Sequence, residues 1–153
     1  MKSSRIFTSG AAVLASATAL LALGQTTATA AGVRSAGAAV PWKATYGTAT
    51  ASGTRSLEAK DGSPFSKIVI KGDFKNTGGD CYSVWTQWSR DLVPGPPVKR
   101  ATLCGKGSKA VDLSLDNYLP TTTGSVFICR GDKDTKDCGE HEDLTSWPVN
   151  HAG

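Results

Sequence analysis

This chain has little of what chemistry needs. Its 153 residues include two histidines, His141 and His151, and a single methionine, Met1. There is no Gly-x-Ser-x-Gly elbow to present a nucleophilic serine. There is no Cys-x-x-Cys or His-x-x-x-His pair, so the usual zinc-ligand spacings are missing. No apolar period of 3.6 residues persists over three turns, which leaves helices a minor role at most. Internal repeats are absent. Charge of one sign is scarce too: the formal net charge is +4, and part of that sits at the N-terminus. A balance this small gives no electrostatic case for nucleic acid.

What is present begins at that terminus. Lys2 and Arg5 precede an uncharged stretch from Ile6 to Gly24, and Ala28-Thr29-Ala30 follows with small residues at the two positions a signal peptidase reads. This is the three-part pattern of a secretory leader, with cleavage expected after Ala30. A transmembrane anchor is the rival. Thr8, Ser9, Gly10, Ser16 and Thr18 dilute the apolar stretch, and no basic stop-transfer cluster follows it at once. No second long apolar run exists, so no membrane segment is expected after cleavage. Loss of Lys2 and Arg5 with the leader leaves a net charge of +2.

An exported chain reaches an oxidising compartment, where Cys81, Cys104, Cys129 and Cys138 are expected to form two disulfides. Three pairings are open. Cys81–Cys104 and Cys129–Cys138 are preferred, because each encloses a local segment between candidate strands. With every thiol in a bridge, no cysteine nucleophile remains.

Residues 31–40 are small and featureless and read as a flexible lead-in. Residues 41–150 alternate short β-rich runs with turn clusters, the pattern of an all-β, antiparallel, sandwich-like single domain. Strands are expected at Lys43–Ala51, at Thr54–Lys60 after a turn starting at Gly53, and at Phe65–Phe74, where Ile68, Ile70 and Phe74 share a parity and face inward. Cys81–Ser89 is the clearest strand. After it Pro94, Pro96 and Pro97 break pairing. Val98–Cys104 resumes, Val111, Leu113 and Leu115 alternate with polar residues, and Ser125–Arg130 is nearly all apolar. Leu144 and Trp147 are placed to seal an edge.

Parity within Cys81–Ser89 separates two faces. Tyr82, Val84, Thr86 and Trp88 form the core side. Cys81, Ser83, Trp85, Gln87 and Ser89 form the other. A tryptophan among amide and hydroxyl groups on a sheet surface offers a stacking platform to a sugar ring, whose hydroxyls its neighbours satisfy. Trp85 and Gln87 are therefore the ligand-binding candidates. The plainer alternative is that Trp85 packs on the Cys81–Cys104 disulfide or beneath a loop.

Two other surfaces compete. The segment Asp91–Leu103 is stiffened by proline and tethered near Cys104. Its Lys99 and Arg100 are the pair a secreted inhibitor would present to a trypsin-like protease; the alternative is an ordinary strand connection with two solvated cations. The acids Asp132, Asp134, Asp137, Glu140, Glu142 and Asp143 could supply a carboxylate pair to a hydrolase. His141 among them is expected to be a solvated loop histidine. Calcium is disfavoured: Asp137 stands where the loop's glycine belongs, and Lys133 and Lys136 repel a cation. No metal or other cofactor is expected.

Asn76-Thr77-Gly78-Gly79-Asp80-Cys81-Tyr82, the Trp85-x-x-Trp88 pair, Cys104-Gly105, Thr121-Thr122-Thr123-Gly124 and Asp137-Cys138-Gly139 together resemble a group of small exported four-cysteine proteins from actinobacterial secretomes. The resemblance covers most of residues 65–140. It rests on turns and disulfides and carries over no active site. The expectation is a secreted, extracellular, monomeric, non-catalytic binding or interaction module, its partner an extracellular glycan, a cell-envelope surface or a protein. Protease inhibitor and carboxylate hydrolase stand as the alternatives.

Overall fold

The computed structural model describes residues 38–147. The expected leader, most of the lead-in, residues 148–150 and His151 lie outside the described residues. Ten strands and no helix make up the described part. They form two five-stranded antiparallel sheets, and both disulfides join the pairs expected from the sequence.

In the first sheet β1 (Val40–Tyr46), β2 (Ala49–Ala59) and β3 (Ser66–Asn76) run in chain order. The far edge of β3 is shared by β7 (Gly107–Ala110) and β8 (Leu113–Tyr118). In the second sheet β4 (Cys81–Arg90) is central. Its neighbour on one side is β9 (Thr122–Arg130), which also carries the two-residue β10 (Glu142–Asp143). On the other side lie β5 (Val93–Pro94) and β6 (Val98–Cys104), paired with opposite ends of β4.

The core is the layer between the sheets. Ala44, Ala51, Ile68, Ile70 and Phe74 face Tyr82, Val84, Val126 and Ile128, and Leu144 closes it from the tail. Full burial of side chains such as Ile or Phe contributes about 2–3 kcal/mol each. The inward parity of β3 and β4 is the one read from polarity.

Two expected turns are corrected. The Thr-rich run Lys43–Ala51 is not one strand: Gly47 and Thr48 make a two-residue hairpin between Tyr46 and Ala49. Gly47 has φ 57°, the conformation that the first central position of a II′ turn requires. Gly53, by contrast, starts no turn. It lies inside β2, opposite Gly72 of β3 and Trp42 of β1. The buried Trp42 indole lies over this glycine pair, so the absent side chains serve packing rather than bending.

Arg55 is buried in the core row, 4 % exposed. Its guanidinium donates to the carbonyls of Asp143 at 2.7 Å and Ser146 at 2.6 Å, and it lies 5.6 Å from the centroid of the Trp147 ring. Trp147 in turn donates to the Tyr118 hydroxyl at 3.1 Å. The tail is thus fastened to the first sheet, and Leu144 and Trp147 do close the sandwich.

Candidate functional site

The outer face of the second sheet is built from the odd-numbered residues of β4 and their partners on β9. Register sets Ser83 opposite Cys129, Trp85 opposite Phe127, Gln87 opposite Ser125 and Ser89 opposite Thr123. Trp85 is half-buried. Its indole N–H donates to Ser83 Oγ at 2.8 Å, and that hydroxyl donates to the Gly131 carbonyl at 2.7 Å. One serine therefore fixes the indole and ties it to the loop that follows β9. Lys99, opposite Trp85 on β6, holds its ammonium 5.7 Å from the ring centroid and donates to the Asp132 carbonyl at 2.6 Å.

Phe127 shares this outer face yet is 1 % exposed. The cause is His141, whose ring stacks on it at 3.9 Å with the planes 8° apart. His141 Nδ1 lies 3.3 Å from Ser125 Oγ. The histidine expected to be solvated is exposed, but it is also docked: it caps an aromatic and borders a groove. That groove, about 280 Å³, is lined by Gln87, Ser89, Thr123, Ser125, His141 and Asp143. Gln87 donates to the Gly95 carbonyl at 2.9 Å, which orients its amide. Asp143 is engaged within the chain, accepting from Thr145 N at 2.6 Å and Ser146 N at 3.1 Å.

Residues two apart on a strand share a face at a spacing of about 7 Å. Trp85 and the Gln87–Ser125 pair are such neighbours by register, with the indole bonded toward Ser83. An aromatic platform therefore stands one step from a row of hydroxyl, amide and imidazole groups that can each donate or accept hydrogen bonds.

A second, larger concavity of about 650 Å³ lies between β1 and the segment leading to β10. Lys43, Thr45, Tyr46, Glu140, His141 and Glu142 line it, and His141 borders both spaces. Among the acids proposed for a hydrolase, Asp134 pairs with Lys136 at 3.7 Å and Asp137 with Arg130 at 3.4 Å, while Glu140 and Glu142 face this cleft. Asp137 also accepts a hydrogen bond from the Tyr46 hydroxyl, and that bond raises the Tyr46 phenol above its ordinary value. Among the described residues no three His, Cys, Asp or Glu side chains come together to hold a metal ion.

Lys99 and Arg100 lie within β6 rather than on a projecting loop: Lys99 pairs with Trp85, and Arg100 is the extra residue where the register with β4 slips between Val84 and Trp85. Arg100 Nε donates to Thr86 Oγ1 at 2.7 Å, and burial holds its guanidinium below its ordinary value. Cys81 and Cys104 are direct cross-strand neighbours, and Cys129 and Cys138 form an isolated bridge pair. Strand parity revealed Trp85, Gln87 and Ser89. It gave no sign of the Phe127–His141 stack, whose members are 14 residues apart and meet only after the Cys129–Cys138 ring folds back.

No protein-family model, no curated protein and no solved structure matches the chain.

Proposed function

We propose that this chain is an exported, disulfide-stapled binding module that takes a glycan on the outer face of its second sheet. The observation that carries the reading is that one sheet face holds the hydrogen-bonded Trp85 and, two residues along β4, the groove of Gln87, Ser89, Thr123, Ser125 and His141. A sugar ring has an apolar face and a polar rim. The indole answers the first and the groove the second.

Preorganisation favours this surface. The indole is fixed through Ser83, Gln87 through Gly95, and His141 through its stack on Phe127. Groups already held in place lose less freedom when a ligand arrives. The Lys99 ammonium beside the ring adds a donor for hydroxyl or carboxyl groups on a sugar. Two disulfides in a helix-free sandwich suit an oxidising, extracellular setting, as the leader pattern of residues 1–30 suggests. The Lys99 ammonium is engaged by the Asp132 carbonyl and the Arg100 guanidinium by the Thr86 hydroxyl, so neither cation projects freely toward a protease pocket, and glycan binding is the reading preferred.

The test is retention of the purified protein on insoluble cellulose, chitin and bacterial cell wall. Wild type is expected to be retained on at least one, and Trp85→Ala to elute with the unbound fraction while its circular dichroism stays that of the folded protein. Failure of wild type on all three, or equal retention of Trp85→Ala, overturns the reading.

A further inference from the structure

Toward the β4–β5 hairpin the inner face of the second sheet loses its cover. Val98, opposite Thr86, is 41 % exposed, and Val93, opposite Arg90, is 70 % exposed. Trp88, Val93, Pro96, Val98 and Leu115 line a largely apolar groove of about 370 Å³ there, and Arg90 borders it. Inner-face side chains of a sandwich normally meet a second layer. These meet solvent.

The hairpin tip adds a second anomaly. Arg90 pairs with Val93 across a two-residue turn, Asp91-Leu92, with φ of 49° and 67°. Both values lie in the left-handed region that a I′ turn requires and that Gly and Asn fill at least cost. Aspartate tolerates it. Leucine has neither the missing Cβ nor a polar group to bond locally. Leu92 is also 93 % exposed. A strained backbone here projects an aliphatic side chain into water, and no contact within the molecule compensates. Such strain points to a use outside the fold.

We propose that tip and groove form one self-complementary surface, through which two copies of this chain pair about a twofold axis. Leu92 of each copy seats in the other's groove. A twofold contact needs knob and hole on the same patch, and here they share the β4–β5 hairpin. Charge agrees. Arg90 borders the groove and Asp91 precedes Leu92, so a Leu92 seated there brings its own Asp91 toward Arg90 of the other copy. Pro94, Pro96 and Pro97 stiffen the connection, which lowers the ordering cost of association. The pairing uses the inner face, so it is independent of glycan binding on the outer face.

Sedimentation velocity of the oxidised, leader-free protein from micromolar to millimolar concentration tests this. Wild type is expected to show a reversible monomer–dimer equilibrium. Leu92→Gly should weaken it about tenfold or more without lowering the thermal midpoint, because glycine accepts the turn's backbone. Val93→Ser should weaken it without altering the turn. Arg90→Glu and Asp91→Lys should each weaken self-association, and an equimolar mixture of the two should recover it as a heterodimer. A wild type that stays monomeric throughout overturns the proposal, as does a dimer indifferent to both Leu92→Gly and Val93→Ser. Monomeric wild type that co-sediments with phosphatidylcholine–phosphatidylglycerol vesicles also overturns it, and assigns the tip to a lipid surface.

Discussion

The Trp42 indole lies across Gly72: a Cβ added there would stand 2.7 Å from Trp42 Cζ2 and would collide with the Ser52 carbonyl. Gly53, opposite Gly72, is hemmed in by the Lys71 carbonyl. Three edge-to-centre neighbours of the first sheet are thus fitted to one another, and a methyl group at either glycine forces backbone to move. Gly72→Ala and Gly53→Ala are each expected to cost about 2–3 kcal/mol, read from urea unfolding at constant m-value. Gly79, in a loop with nothing within 4 Å and no left-handed backbone, serves as the control for local effects.

Asn76 ties three loops together. Its Nδ2 donates to the carbonyls of Asp80 at 2.7 Å and Gly105 at 2.9 Å, and its Oδ1 accepts from Thr48 Oγ1 at 2.8 Å and Gly78 N at 3.0 Å. The side chain is buried, so lost bonds cannot be replaced freely by water. Asn76→Ala is expected to destabilise the fold by about 3 kcal/mol. Asn76→Asp should be no better near neutral pH, because a carboxylate would face two carbonyls, and should recover part of the loss in acid, where the protonated group regains a donor. Thermal unfolding at two pH values distinguishes the two variants.

Much of this architecture was legible from residue order alone. The alternation in β3 and β4 placed Ile68, Ile70, Phe74, Tyr82 and Val84 inward because one face of each strand is buried and the other is wet. The disulfide pairs followed from local enclosure. What escaped was decided by contacts distant in sequence. Gly53 looked like a turn because a glycine's role as packing space depends on Trp42 lying above it. The Asp91-Leu92 turn escaped because its left-handed positions hold neither Gly nor Asn. Arg55 gave no sign of burial, since its partners are tail carbonyls that carry no side-chain signal. At the site, Trp85 and Gln87 could be found by parity, while His141 acquired its place only through Phe127.

Tyr46 provides a pH signature. Its hydroxyl donates to Asp137, and that bond raises the phenol above its ordinary value. A group whose folded value is raised contributes stability that is fully present below the unfolded value and is lost as pH rises through the folded one. Unfolding stability should therefore fall above about pH 10, more steeply in wild type than in Tyr46→Phe. Denaturant titrations of both proteins from neutral to strongly alkaline pH, with the phenolate followed by ultraviolet absorbance, give the difference directly. Parallel curves would remove Tyr46 as the source.

Glycan binding across Trp85 and the groove of Gln87 and Ser125 is open to a direct test. The most direct measurement is a 1H–15N spectrum recorded as soluble oligosaccharides of the retained polysaccharide are added. The Trp85 indole N–H, bonded to Ser83 in the free protein, is expected to shift together with the Gln87 side-chain amide and the backbone amides of Thr123 and Ser125, while the Trp42 indole stays fixed. Saturating shifts confined to another surface, or none at any concentration, would contradict it.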